Sequence, residues 1–322
     1  MSDQYIVSVD LGGTKILSAL LNSNNEIISR IKIATDTGKG NEQLVKSIVG
    51  SIKKLLEENN MSQQQIKAVC LGVPGTVNPF TGVIGNAPNL GITDFNIREA
   101  LSEEITVPVL IENDVNLAGL GIKKFEVGED VKNMLVVFVG TGIGGALFFE
   151  GKLYRGSSFF AGEIGHMIVE PKGEFSTFSN RTTFELTASR TAIAREIKRG
   201  LNKGKKSILN EYRSPDKPLK SRAIASAVKK EDQLAVKCVG KAAVTIGTVL
   251  GSLTTLLNIN TIVLGGGVME AMHKFMMPKI KKAFNESVLP DAGKIVNIFE
   301  TKLGDDAALY GGIALAEEFL QK

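Results

Sequence analysis

Two glycine-rich turns, Asp10-Leu11-Gly12-Gly13-Thr14 and Gly140-Thr141-Gly142-Ile143-Gly144-Gly145, each lie between runs of apolar and β-branched residues. Ile6–Val9 and Ile16–Leu21 flank the first, and Leu135–Val139 and Ala146–Phe149 flank the second. The pattern is strand, tight turn, strand, occurring twice about half a chain apart. Glycine admits positive φ and lets main-chain N–H groups converge with no Cβ in the way, and converging N–H groups make an anion site. Two such hairpins facing each other would grip a polyphosphate from both sides.

Both turns sit in a chain of 322 residues, a length that implies two domains. Cys70 and Cys238 lie far apart in apolar stretches and read as small core residues of a reducing compartment, not as a disulfide or a cysteine-rich zinc site. The start, Met1-Ser2-Asp3-Gln4, has no signal-peptide pattern. No charge occurs between Lys241 and Glu270, but Asn258, Asn260 and Gly265 to Gly267 interrupt that run. It is expected to form a buried helix (Ala242–Leu257), a turn and a buried strand (Thr261–Leu264), not a membrane span. A cytoplasmic protein is expected. The net charge of +4 is uneven: residues 195–230 carry twelve Lys or Arg against three Asp or Glu, so the remainder is at −5. This stretch reads as a solvated excursion or as a basic rim for a phosphate-rich ligand. Its single aromatic, Tyr212, argues against nucleic acid.

Apolar periodicity predicts strands Ile6–Asp10, Ile16–Leu21 and Ile27–Ile33, joined by the hairpin turn Asn22–Asn25. A helix should follow over about 41–58, with Leu44, Ile48, Ile52 and Leu55 on one face. Strand Ala68–Val73 ends at Pro74-Gly75, and Pro79–Leu90 reads as loop. A short helix near Ile97–Glu104, strand Val109–Ile111 and a helix from about Val115 come next. The order then restarts with strands Met134–Val139 and Ala146–Phe149, helices from Phe184 and strand Thr261–Leu264, so a βββαβα unit occurs twice. The last helix, Ala307–Leu320, offers Leu309, Ile313, Leu315 and Phe319 to a core.

Gly140-x-Gly142-x-x-Gly145 matches a dinucleotide fingerprint literally, but that fingerprint needs a helix directly after it. Here a strand and a turn (Glu150-Gly151) follow, which argues against an NAD-dependent oxidoreductase; a Walker A sequence is also absent. Asp10 stands at a strand end, suited to holding Mg²⁺ through water, while Thr14 offers a hydroxyl and Lys15 a cation to phosphates. Glu112-Asn113-Asp114 lies between a strand and a helix. Asp114 alone could be an N-cap; its functional reading is the base that orients a hydroxyl and takes its proton late in phosphoryl transfer. Gly162-Glu163-Ile164-Gly165-His166-Met167 sets a carboxylate and an imidazole between glycines, within reach of a small ligand. Glu185 opens a helix, where a first-turn carboxylate is favourable in any case. His273 reads as a surface residue.

Together with Gly85-Asn86-Ala87-Pro88-Asn89-Leu90 and Leu264-Gly265-Gly266-Gly267, these motifs resemble the ROK family (repressors, open reading frames, kinases) over nearly the whole chain. The resemblance implies an α/β protein on the actin-like ATPase (ribonuclease H-like) fold, with a duplicated βββαβα core. It implies a small domain (1–115 plus 305–322), a large domain (116–304) and an interdomain cleft. It implies a sugar kinase with Asp114 as catalytic base and with Asn89, Asn113, Glu163, His166 and Glu185 on sugar hydroxyls. Asp10, Gly12, Gly13, Thr14, Thr141 and Gly142 would hold the phosphates of ATP and Mg²⁺, and Gly265, Gly266 and Gly267 would pass under the adenosine. The Asn86–Leu90 loop most resembles the glucokinase branch. A hexose is the expected partner, in a homodimer or homotetramer.

The chain departs from the family in one place. Many members carry a cysteine cluster after the Gly-His pair that binds structural zinc; here Ser176, Phe178 and Thr183 stand instead. None is a competent zinc ligand, so no zinc is expected, and His166 is left to hydrogen bonds for its orientation. Kinases of N-acetylmannosamine or N-acetylglucosamine, a polyphosphate-using glucokinase and a sugar-responsive regulator are the alternatives. The regulator is disfavoured because Asp10 lies too near Met1 to leave room for a helix-turn-helix ahead of it.

Overall fold

The computed structural model describes residues 5–36, 38, 40–170 and 182–320. The chain begins with β1 (Tyr5–Leu11), β2 (Lys15–Leu21), β3 (Ile27–Ala34), α1 (Gly40–Glu58) and β4 (Ile66–Val73). Next come β5 (Thr76–Asn78), β6 (Val83–Ala87), β7 (Ile92–Asn96), α2 (Ile97–Ser102), β8 (Val109–Asn113) and α3 (Asp114–Ile122). Then follow β9 (Met134–Val139), β10 (Ile143–Phe149), β11 (Lys152–Tyr154), β12 (Ile168–Glu170), β13 (Thr182–Thr183), α4 (Phe184–Ala188) and α5 (Arg190–Asn202). The last elements are α6 (Ser221–Lys229), α7 (Gln233–Leu257), β14 (Thr261–Gly265), α8 (Gly267–Ser287), α9 (Pro290–Gly293), β15 (Asn297–Glu300) and α10 (Asp306–Leu320).

The duplication expected from the two hairpins is present in the sheets. One sheet has the order β3-β2-β1-β4-β8 and the other β11-β10-β9-β14-β15. In each, an antiparallel hairpin (β1 with β2, β9 with β10) is followed by two parallel strands (β4 and β8, β14 and β15). The chain divides into two compact units. One comprises residues up to Asp130, Lys152–Ala161 and the segment from Asp305; the other comprises Val131–Gly151 and Gly162–Gly304.

The first unit has two core faces because a strand alternates its side chains. Ile16 and Leu20 of β2 join the core with Leu44, Ile48, Ile52 and Leu55 of α1. A buried hydrogen bond between Ser18 and Ser51 (2.8 Å) fastens the same face. Leu17, Ala19 and Leu21 point the other way, onto Leu309 and Ile313 of α10. Close approach of α10 depends on glycine. A Cβ on Gly311 would lie 1.8 Å from the Leu117 carbonyl oxygen of α3, and one on Gly121 would lie 2.1 Å from the Ala307 oxygen. Gly311→Ala is therefore expected to cost about 3 kcal/mol, a loss read from chemical unfolding. A variant as stable as wild type would mean that the two helices can separate freely.

In the second unit the uncharged run lies within α7. This helix is long and apolar enough to cross a membrane. Here its buried residues, Ile246, Leu250 and Leu253 among them, belong to the core. Gly247 and Gly251 bring α8 so near that a Cβ would meet the Ile280 oxygen at 2.3 Å or the Ser287 Cβ at 2.9 Å.

Four expectations are corrected. Pro79–Leu90 is not simply loop: with flanking residues it builds the antiparallel sheet β5-β6-β7, whose strands of three to five residues are too short for alternation to register. The second glycine turn ends at Gly142, so Gly144 and Gly145 are strand residues paired with Phe138 and Val137. Phe319 is half-buried, its ring 5.7 Å from that of Phe80 and beneath the Arg155 guanidinium. Cys70 is buried, but Cys238 is only partly so; both are free thiols.

Candidate functional site

In the first unit, the expected residues gather at the carboxyl ends of parallel strands, where open α/β sheets place ligands. Asp10 is the register partner of Gly72, and Gly72 that of Glu112. With neighbouring strands about 4.8 Å apart, the backbones of Asp10 and Glu112 are about 10 Å apart, and Asp114 follows at the start of α3. A Cβ on Gly72 would approach Leu117 Cδ2 to 2.9 Å and Asp114 Cα to 3.4 Å, so glycine lets this helix start lie against the sheet.

The β1–β2 turn is closed by the Gly12 N–H donating to the Lys15 carbonyl (2.9 Å), and the Thr35 hydroxyl donates to the Gly12 carbonyl (2.6 Å). Thr14 at its tip is exposed. A Cβ on Gly13 would lie 3.3 Å from the backbone oxygen of Asn89, so the exposed Asn89 sits directly beside the turn. Lys15, expected as a cation for phosphates, donates to Asp305 (2.5 Å). Burial pushes the Asp10 carboxyl up to about 6; Lys15 opposes the rise and Asp305 adds to it. A single half-buried carboxylate whose charge is disfavoured fits a hydrated Mg²⁺, a cation that keeps most of its waters and takes one or two carboxylates.

Asn113 is fixed by the fold. Its Oδ1 accepts from the Val115 and Asn116 N–H groups as the N-cap of α3, and its Nδ2 donates to the Gly75 carbonyl (3.0 Å). One Nδ2 hydrogen is left for a ligand. Glu112 beneath it is buried: Oε1 accepts from the Asn113 N–H (2.9 Å) and from Asn116 Nδ2 (3.1 Å), and Oε2 from Arg155 Nε (2.7 Å). Arg155 also donates to both oxygens of Glu318 (2.7 and 2.9 Å). This Glu112–Arg155–Glu318 chain, buried at Glu112 and reaching solvent at Glu318, escaped sequence reasoning, since its members are distant in sequence and Arg155 lies in no motif.

In the second unit, the Gly140 N–H donates to the Gly142 carbonyl and the Arg190 N–H to the Gly140 carbonyl, both at 2.9 Å. The Arg190 guanidinium donates to the Thr141 hydroxyl (2.5 Å), and the Thr191 hydroxyl to the Thr141 carbonyl (2.8 Å). Arg190 was not foreseen; a basic residue opening a helix gives no local signal of what it reaches. Glu185 Oε2 accepts from the Ile143 N–H (2.9 Å) and occupies the space over Gly142, where a Cβ would meet it at 2.3 Å. Glu185→Ala is accordingly expected to cost about 1–3 kcal/mol and to weaken nucleotide binding, while Glu185→Gln keeps an acceptor there and most of both properties. Thermal midpoints and nucleotide KM values measure this, and equal behaviour of the two variants would refute the supporting role.

The remaining glycines of the motif serve backbone packing. A Cβ on Gly162 would lie 2.2 Å from the Gly145 oxygen, and one on Gly165 2.2 Å from the Ile143 oxygen. These contacts bring Glu163 and His166 beside β10. His166 is largely exposed, and its Nε2 is 3.7 Å from Glu163 Oε2, too far for a direct hydrogen bond. Burial holds the Glu163 carboxyl above the usual range, with His166 lowering it and Glu185 raising it. Glu163, His166 and Glu185 thus share one neighbourhood. Gly265 pairs with Phe138, and a Cβ on Gly266 (φ +88°) would lie 2.7 Å from the Val139 oxygen, so this loop rides on the strand that leads into Gly140. Around Gly267 there is open space. His273 does more than face solvent: its Nδ1 is 3.1 Å from Glu300 Oε2.

Of the residues standing in place of zinc ligands, Ser176 and Phe178 lie outside the described residues. The Thr183 hydroxyl caps α4 by accepting from the Leu186 N–H (3.3 Å). Among the described residues, no three His, Cys, Asp or Glu side chains converge in a way that could hold a metal ion.

The chain is 34% identical, over 97% of its length and 94% of the other's, to a glucokinase of Halalkalibacterium halodurans. It is 26% identical, over 96% of its length but 77% of the relative's, to a putative xylose repressor of a Caldicellulosiruptor species. Among solved structures, a ROK family glucokinase from Streptomyces griseus in complex with glucose and AMPPNP superposes with a TM-score of 0.83. That pair is 26% identical and covers 98% of this chain and 99% of that one. With the ROK family model matching residues 6–319 as well, the chain belongs to the ROK family and has its actin-like ATPase fold in two units.

Proposed function

We propose that this protein is an ATP-dependent sugar kinase that phosphorylates the 6-hydroxyl of a hexose, glucose foremost. The observation that carries the reading is Asp114, set at the carboxyl end of β8 on the same sheet edge as Asp10 and the Gly12–Lys15 turn. Asp114 accepts the hydroxyl proton late, as the alcohol oxygen forms its bond to the γ-phosphorus and the bond to the β–γ bridging oxygen breaks. Asn113, immobilised by its cap, offers one N–H to the sugar, and Asn89 an amide beside the phosphate turn. Glu163 and His166 add an acceptor and a ring nitrogen to the sugar's hydroxyls. N–H groups of the Gly12–Thr14 and Thr141–Gly142 turns receive phosphate oxygens, with Arg190 fixing Thr141. Mg²⁺, when bound, neutralises charge on the phosphate oxygens, and Asp10 holds it through water. Glu185 reaches the sugar with Oε1, the oxygen not used by Ile143.

The likeness to a glucose- and AMPPNP-bound neighbour supports this choice of substrates. The test is a coupled ADP-release assay across hexoses and N-acetylhexosamines, with ATP and polyphosphate compared as donors. Turnover is expected with glucose and ATP. Sugar binding without turnover of any sugar would instead favour a sensor, the second reading, which the repressor match over 77% of that protein motivates.

A further inference from the structure

Among the described residues, Glu112 is the most deeply buried charged side chain, at 1% exposure. The other two buried charges have tasks within loops and caps: Lys123 donates to the Gly128 carbonyl, and Asp232 caps α7. The partners of Glu112 instead bracket the Asn113-Asp114 pair. Its Oε1 accepts from the Asn113 N–H, at the end of β8, and from Asn116 Nδ2, in the first turn of α3. A buried ion pair is weak evidence for stability, because apolar side chains of similar volume serve as well. Here the fold even carries a cost for it. Asn116 turns its Nδ2 to the carboxylate, and its Oδ1 is buried with no hydrogen-bond partner among the described residues. Arg155 holds the other edge of Glu112. Its Nε donates to Glu112 Oε2, and its two terminal nitrogens donate to the two oxygens of Glu318. A planar fork held on both edges has one orientation. The backbone of Arg155 is fixed as well: the Ala161 N–H donates to its carbonyl (3.1 Å), closing a loop whose second residue, Gly156, has φ +74°. All these groups belong to the first unit.

We propose that Arg155 is a positioning residue for phosphoryl transfer: through Glu112 it fixes the strand end and helix start that carry Asn113 and Asp114, and so aims Asp114 at the sugar hydroxyl. The inference rests on the kinase reading above. The guanidinium sets the Glu112 carboxylate, the carboxylate sets the peptide that bears the Asn113 N–H, and Asn116 ties in the turn on which Asp114 stands. A misplacement of about 1 Å at such a point costs about a hundredfold in rate.

The test is Arg155→Met combined with Glu112→Gln in the full chain. Removing the arginine alone leaves a buried carboxylate without its cation, at a heavy cost to folding. The paired change removes both charges, and the glutamine oxygen still accepts from the Asn113 N–H and from Asn116 Nδ2. Its thermal midpoint is expected within about 4 °C of wild type. Its kcat is expected to be about tenfold to a hundredfold lower, with the KM for ATP within about twofold. Arg155→Lys, which keeps the cation but not the fork, is expected to give a kcat between the two. In an Asp114→Asn background the paired change should cost no further kcat, because Arg155 acts through that carboxylate; a merely structural role would cost the same fold in both backgrounds. Wild-type kcat in the folded paired variant or in Arg155→Lys, or an equal loss in both backgrounds, would overturn the proposal while leaving the kinase reading intact. A wild-type chain that turns over no sugar would instead fail that reading, and the proposal with it.

Discussion

Replacing Asp114 by Asn is expected to lower kcat about a thousandfold while the dissociation constant for the sugar changes less than about threefold. The fold tolerates the change for a visible reason. Helix α3 is capped by Asn113, not by Asp114, and the Asp114 Oδ1 that lies 2.9 Å from the Val115 N–H is retained by an amide. What disappears is a group able to take a proton. Because the transition state of phosphoryl transfer is loose, the proton moves late, and an amide still orients the hydroxyl; the residual rate should therefore exceed the uncatalysed one. Single-turnover kinetics and sugar binding by calorimetry separate the two effects. A kcat within about tenfold of wild type would remove Asp114 from its assigned role.

Asp10→Asn is expected to act in opposite directions on activity and stability. Burial raises the Asp10 carboxyl from 3.8 to about 6, so the folded protein binds this proton more tightly than the unfolded chain does. The contribution of Asp10 to stability is therefore most favourable when both states are protonated, below about pH 4, falls as pH rises to about 6, and remains reduced above that, by about 3 kcal/mol at most. The neutral amide removes this cost. Without ligands, the variant should unfold at a higher temperature than wild type at about pH 8, and the gap should close on approaching pH 4. Its turnover should fall by about a hundredfold or more, because an amide is a poor partner for hydrated Mg²⁺. Thermal midpoints at the two pH values and a Mg²⁺ titration of activity check both arms. A variant less stable than wild type at the higher pH would contradict the burial argument.

The parts of the fold that sequence announced are those where period and punctuation agree. Ile16 to Leu21 alternates between two cores, the helix from residue 40 buries Leu44, Ile48, Ile52 and Leu55, and Asn25 takes the positive φ (65°) that a hairpin turn asks of it. The sheet formed by β5, β6 and β7 was illegible because glycine and proline in a short segment look the same in a loop and in tight hairpins. Gly144 and Gly145 misled for a related reason: glycine marks positive φ and close backbone approach with one letter, and here the second applies. Pairings such as Glu185 with Ile143, His273 with Glu300 and Arg155 with Glu112 depend on tertiary geometry. The residue types hint at capacity, but no local pattern names the partner. The positions of Asp10 and Asp114 at strand ends were legible because Gly12-Gly13 and the end of the apolar run Val109–Ile111 mark where β1 and β8 stop, although an acid at such a point serves a turn or a helix cap equally well.

The packing of α10 has a consequence for biosynthesis. Leu17, Ala19 and Leu21 emerge from the ribosome well before Leu309 and Ile313, which cover them and are translated only after the whole of the second unit. Until then the nascent chain carries an apolar strip with no cover, a target for chaperones. A message cut short before α10, or a ribosome stalled there, would leave that strip bare, so completion of the first unit's core waits on synthesis of the second unit.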